Sequence, residues 1–150
     1  MTARLGIITR ARVVAEARTW IGTPYHHQAS LRGIGTDCIG LVLGVCRTFD
    51  IGHDGVLPAY SRDWAEVTGT ETLLAAAHRH LVSVSLSAGL PGDVLIFRYR
   101  AHAVAKHAGF LATSSTFIHA LENAPVSEVA LSGWWKRRIV GVFRIPGIID

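Results

Sequence analysis

Midway along the chain the hydrophobic period changes, and that change restricts the possible folds more than any other feature. Up to about Leu81 the apolar residues recur at helical spacing, whereas beyond Leu90-Pro-Gly-Asp93 they gather in short strand-like runs. A helix brings every third or fourth residue to one face and a strand every second. Neither an all-helical bundle nor an all-β sandwich accommodates both halves. Helices first and an antiparallel sheet afterwards predict an α+β domain.

The first helix is expected over Arg10 to Ile21, with Val13, Val14, Ala17, Trp20 and Ile21 on one side and Gly22-Thr-Pro ending it. A glycine-rich loop from Pro24 to Gly35 follows. Thr36 or Asp37 is placed to cap a second helix reaching about Phe49, whose inward stripe is Cys38, Leu41, Val42, Val45, Cys46 and Phe49. Asp50 to Asp63 is turn-rich, and a third helix is expected from about Thr70 to Leu81. Strands are predicted at Val94 to Tyr99, Ala108 to Ala112, Thr116 to Leu121, Val126 to Leu131 and Ile139 to Ile145.

A length of 150 residues suits one domain spanning 1–150, large enough to bury roughly 70% of its unfolded surface. With 49% hydrophobic and 17% charged residues, the composition excludes a disordered body. The net charge of +4 is carried almost wholly by arginine, since Lys106 and Lys136 are the only lysines. These arginines are scattered from Arg4 to Arg144 rather than set in one stripe, which argues against a nucleic-acid partner. No apolar run is long enough for a membrane span, and Met1 to Gly22 has no signal-peptide pattern.

Two cysteines are present, Cys38 and Cys46, in one expected helix and too far apart along it for a disulfide. Cys38 stands at the helix start, where free backbone N–H groups and the helix dipole favour a thiolate; burial in the core is the equally weighted alternative. Cys46 has no such setting and reads as core.

A thiolate nucleophile needs a base and the base needs an orienting group. Of the eight histidines, His26, His27, His53, His78, His80 and His102 fall in loops or on an exposed helix side. His107 and His119 lie in strand-like runs on either side of a turn near Thr113-Ser114. With an odd turn centred on Thr113, His107 faces His119 directly, their Cβ atoms about 4.5–5.5 Å apart. A slip of one residue places them on opposite faces. No metal site is expected: His78 and His80 diverge on a helix, and neither a His-Glu-x-x-His nor a paired Cys-x-x-Cys motif occurs.

Asp93 reads as a turn residue whose carboxylate bonds backbone N–H groups. Trp134-Trp135 beside Lys136-Arg137-Arg138 supports two readings, an exposed contact patch or one ring in the core with the other at the sheet edge.

Taken in order, Gly22-Thr-Pro-Tyr25, Thr36-Asp-Cys38-Ile-Gly-Leu41, Leu90-Pro-Gly-Asp93-Val-Leu-Ile-Phe97, His107-Ala-Gly-Phe110 and Phe117-Ile-His119-Ala120 resemble the NlpC family of cell-wall cysteine peptidases. The resemblance covers roughly residues 10 to 145. It implies a papain-like fold, with N-terminal helices packed on a five- to six-stranded antiparallel sheet, no cofactor, and hydrolysis of peptidoglycan stem peptides, commonly between D-glutamate and a diamino acid. Carried across residue by residue, it makes Cys38 the nucleophile, His107 the general base and His119 its orienting partner. Tyr25 then assists the oxyanion or substrate, and Asp37 receives a free amine of the stem peptide.

Two positions depart from the family pattern. Ile39 replaces a serine expected to line the substrate groove, and His26-His27-Gln28-Ala-Ser30 replaces an aromatic, glycine-rich stretch at its mouth. The short form is most similar to members encoded among tail genes of phages and gene transfer agents. That implies synthesis in the bacterial cytoplasm, carriage on a phage-like tail in contact with tail hub or tail-tip proteins, and action in the cell wall. The rival readings are a non-catalytic tail component and an amidase or acyltransferase on the same scaffold.

Overall fold

The computed structural model describes residues 6–51 and 71–150. His53, most of the turn-rich stretch from Asp50 to Asp63, and Thr70 at the expected start of the third helix lie outside the described residues.

Helix α1 is Arg10–Arg18, with the Thr9 side chain accepting from the Arg12 N–H at 3.2 Å. It ends three residues before the predicted limit, because the chain tightens after Thr19 into turns that carry Trp20 into the core. Helix α2, Cys38–Thr48, begins where Asp37 Oδ1 accepts the Gly40 N–H at 2.7 Å. Of the expected inward stripe Cys38, Leu41, Val45, Cys46 and Phe49 are buried, and Val42 is partly buried against the same core. Gly44 lets the Trp20 ring lie directly on the helix, where a Cβ would collide with it. Helix α3 is Thr72–His80 and buries Leu73, Ala76 and Ala77.

A two-stranded hairpin, β1 (Ser30–Leu31) and β2 (Gly35–Thr36), lies in the loop before α2. After α3 come β3 (Val82–Val84), β4 (Val94–Phe97), β5 (His107–Leu111), β6 (Thr116–His119), β7 (Ser127–Ala130), the short helix α4 (Gly133–Lys136) and β8 (Ile139–Arg144). The last six strands form one antiparallel sheet in the order β3-β8-β4-β5-β6-β7. The five predicted strands are all present; the sixth, β3, has only three residues and does not stand out from the end of the preceding helix.

Both faces of this sheet are covered. Val94, Ile96, Ala108, Phe110 and Ile118 face α1, α2 and α3, while Leu95, Phe97, Leu111, Phe117 and Val142 face the other way, toward Trp135 of α4. The rings of Phe97, Phe110, Phe117 and Phe143 are almost completely buried, each contributing about 1.5–3 kcal/mol. Asp93 fixes the entry to β4: Arg10 reaches its Oδ1 at 3.0 Å, Arg144 reaches Oδ1 at 3.0 Å and Oδ2 at 2.9 Å, and the Leu90 N–H donates to Oδ2 at 2.9 Å. The turn role expected of Asp93 is present, joined by a buried ion-pair cluster that ties α1 to β4 and β8.

Among the described residues, no helix is long and apolar enough to cross a membrane.

Candidate active site

The β5–β6 hairpin brings His107 and His119 together, but not in the register expected. Gly109 faces His119 and Leu111 faces Phe117, so the turn is centred on Ser114 rather than Thr113. The shift follows from side-chain bonding in the turn, where Thr113 Oγ1 accepts the Ser115 N–H at 3.1 Å and meets Thr116 Oγ1 at 2.7 Å. His107 is therefore a diagonal neighbour of His119 instead of its direct partner. Because the partner of His119 moves by two residues, the face is preserved. Diagonal Cβ atoms are about 7–8 Å apart, within reach of two rings, and His107 Nε2 lies 2.8 Å from His119 Nδ1. Gly109 fills the direct position: a Cβ there would stand 2.7 Å from the Ile118 carbonyl oxygen and 3.1 Å from His119 Cβ.

Both imidazoles lie on the sheet face covered by α4. His107 packs near-parallel to Trp135, with centroids 5.4 Å apart, and to Tyr99 at 5.7 Å; His119 meets Trp135 edge-on at 5.2 Å. Burial pushes His107 down to about 3, with the neighbouring His119 adding to the effect, and pushes His119 down to about 4. At neutral pH both rings are uncharged. The two readings of the tryptophan pair are thereby divided between its members. Trp135 packs around the histidines, while Trp134 is exposed and carries the Arg138 guanidinium 3.7 Å above its ring.

Cys38 approaches this pair from the other side of the sheet. Its thiol donates to the carbonyl oxygen of Lys106 at 3.7 Å, the residue immediately before His107. Sulfur and imidazole are brought to the same strand end but are not hydrogen-bonded to each other. The N–H groups of Ala108, Ile39 and Cys38 do favour a thiolate, as the helix start predicts. They are outweighed, because burial, and after it the Asp37 carboxylate, pushes the thiol up to about 12. The resting pair is thus a neutral thiol and a neutral imidazole, and of the two readings of Cys38 burial outweighs the helix start. Cys46 is buried core, its thiol also raised to about 12 by burial.

Asp37 is buried. Beyond capping α2 it accepts the Gln28 N–H at 2.7 Å on Oδ2, with His27 Nδ1 at 3.9 Å. Both carboxylate oxygens thus hold the backbone of the loop and the helix start. Tyr25 is half-buried and bridges to Thr36. With His26, His27 and Glu122 it lines an open groove of about 470 Å³. Ile39 does not line that groove: it is buried and faces an apolar cavity behind α2, beside Cys46, Val94 and Ile96. Its exchange for serine therefore belongs to the core, not to the substrate mouth.

Sequence reasoning missed Tyr99 and Glu122, and singled out Trp135 without placing it at the histidines. Burial raises the Tyr99 hydroxyl, and the nearby Cys38, Tyr25 and Glu122 raise it further. The signal for Tyr99 was its phase: two residues after Phe97, it continues the same face of the β4 run. Trp135 had no such signal, since it reaches the histidines from a separate helix.

Among known proteins, the chain is similar to the probable endopeptidase NlpC of Escherichia coli, with 27% identity over 132 residues, which is 87% of this chain and 74% of that protein. Solved structures share the fold. A NlpC/P60 family protein from Bacillus cereus superposes with a TM-score of 0.68 at 17% identity, covering 93% of this chain and 41% of that one. The NlpC/p60 domain of the peptidoglycan hydrolase SagA gives 0.61 at 21%, covering 92% of this chain and all of that domain. A similar structure from Staphylococcus aureus, with a TM-score of 0.60 at 20% identity, covers all of this chain and 46% of its own. The chain thus spans less than half the length of the Bacillus and Staphylococcus proteins. The model of the NlpC/P60 family matches residues 22–144, a stretch that contains the thiol, both histidines and the entire sheet, and the chain belongs to that family.

Proposed function

We propose that this chain is a cysteine peptidase that hydrolyses stem peptides of bacterial peptidoglycan, with Cys38 as nucleophile, His107 as general base and His119 as the group that orients it. The observation that carries the reading is the buried 2.8 Å bond between His107 Nε2 and His119 Nδ1 at the strand end where the Cys38 thiol rests on Lys106. When His107 Nε2–H donates to His119, the lone pair of His107 is on Nδ1, the nitrogen that His119 does not engage. A neutral imidazole of this kind takes a proton from a neutral thiol as the sulfur attacks, so the thiolate forms during attack rather than before it.

In this reaction Sγ adds to the scissile carbonyl while the Cys38 N–H and the Tyr25 hydroxyl stabilise the oxyanion. His107 then gives its proton to the leaving amine, and an acyl-enzyme remains. Water attacks the acyl-enzyme with His107 again as base and releases the acid product. Membership of the family and the likeness to a domain of a peptidoglycan hydrolase support the substrate class. The proposal extends to the D-glutamyl–diamino acid bond, with Asp37 near its free amine, and to carriage by a phage-like tail; both rest on the sequence resemblance. The apolar character of Ile39 lends no support to a lipid substrate, since that side chain points into the core.

The test is mass spectrometry of peptidoglycan fragments incubated with the wild-type chain and with Cys38→Ala. A fragment released by the wild type alone is the expected result and identifies the bond. The absence of any product across several wall chemistries, with the protein folded, overturns the assignment.

A further inference from the structure

A second groove of about 470 Å³ opens on the Tyr99 side of the site, lined by Arg98, Tyr99, Arg100, Arg137, Arg138 and Val140. Four arginines line it, brought together from the ends of β4 and α4, so the sequence shows them only as separate short runs. Among the described residues a single carboxylate answers them: Glu71 Oε2 accepts from Arg98 Nη2 at 3.2 Å. Arg98 Nε is buried without a hydrogen-bond partner. Arg138 is held in place by the Tyr99 carbonyl at 3.2 Å, the Trp134 carbonyl at 2.8 Å and the face of the Trp134 ring. Arg100 and Arg137 are exposed and form no ion pair among the described residues.

We propose that this groove is a subsite for a carboxylate carried by the peptide substrate. Planar guanidinium groups match a carboxylate in bidentate geometry, and a group already fixed by carbonyls and a ring loses little freedom on binding. The groove borders the catalytic pair, because Tyr99 lines it and the Tyr99 ring stacks on His107 at 5.7 Å. This adjacency to the proposed base favours a carboxylate of the substrate over an independent anion. The proposal rests on the peptidase reading for the identity of the peptide, and adds that the free acid is distinguished from its amide.

The test uses the full chain with Cys38→Ala, so that binding is measured without turnover. Calorimetry compares stem peptides with free carboxylates against the same peptides amidated. The free acid is expected to bind about tenfold tighter, and Arg100→Gln with Arg137→Gln is expected to bring that ratio close to one, with Arg→Lys at both positions restoring part of it. Equal affinity for acid and amide in the parent, a ratio that survives the glutamine pair, or no binding of the acid at all overturns the subsite. A preference for the acid in a chain whose wild type cleaves nothing would sink the peptidase reading and leave the groove standing. Cleavage without any preference does the reverse.

Discussion

His107 Nε2 and His119 Nδ1 meet at 2.8 Å although the two residues are diagonal rather than opposed on their strands. The bond spans the position of Gly109 and fixes one nitrogen of each ring, so the roles of the two histidines are unequal. His107→Ala removes the base and is expected to lower kcat by about 10²–10⁴. His119→Ala leaves the base in place with a looser orientation and is expected to cost at least about tenfold less. Steady-state kinetics on a muropeptide substrate measures both; equal losses would give His119 a direct role.

The same pair makes stability depend on pH. Both imidazoles bind protons at about 6.5 when the chain is unfolded, but only at about 3 and about 4 when it is folded. Between those values the unfolded state holds more protons, so stability rises with pH and is fully present above 6.5. Acidification from there towards pH 4 is expected to destabilise the fold, each histidine adding a slope of up to about 1.4 kcal/mol per pH unit. Urea midpoints across that range check it. His119→Asn should shallow the dependence, and a flat profile for the wild type would contradict the buried neutral pair.

Asp37 raises the Cys38 thiol while capping its helix. Asp37→Asn keeps a capping oxygen and removes the charge, so the thiol is expected to react at lower pH. Alkylation rates measured against pH detect the change. Asp37→Ala also loses the bond to Gly40 and is expected to destabilise the fold by about 1 kcal/mol. An unmoved alkylation profile in Asp37→Asn would leave burial alone responsible.

Asp93 holds Arg10 and Arg144 with a fully buried carboxylate. Asp93→Ala is expected to cost about 3–5 kcal/mol, because it removes the carboxylate that both arginines share and orphans the Leu90 N–H. Chemical denaturation reads the loss. A change below about 1 kcal/mol would mean that the arginines find water readily.

The α+β order, the helix that starts at Cys38 and the shared face of His107 and His119 were all legible in sequence. Each depends on periodicity or on a capping residue, which act over a few neighbouring positions. Asp37 shows the limit of that reading. Its place as the cap of α2 was legible, whereas the bond from its second oxygen to the Gln28 N–H depends on how the preceding loop folds back. Ile39 shows it too, because the side of α2 that faces the sheet is decided by packing on Val94 and Ile96.

By itself, then, the sequence determined the three main helices and five of the six strands of the sheet, where the thiol stands relative to a helix start, and that the two histidines fall on one face. Tertiary structure alone decided the hairpin register, the high pKa of the thiol, the enclosure of His107 by Tyr99 and Trp135, and the meeting of Arg98, Arg100, Arg137 and Arg138 in one groove. The division is physical. Periodicity and caps are satisfied within one or two turns of chain, while burial, electrostatic environment and side-chain convergence are properties of segments distant in sequence that pack against each other.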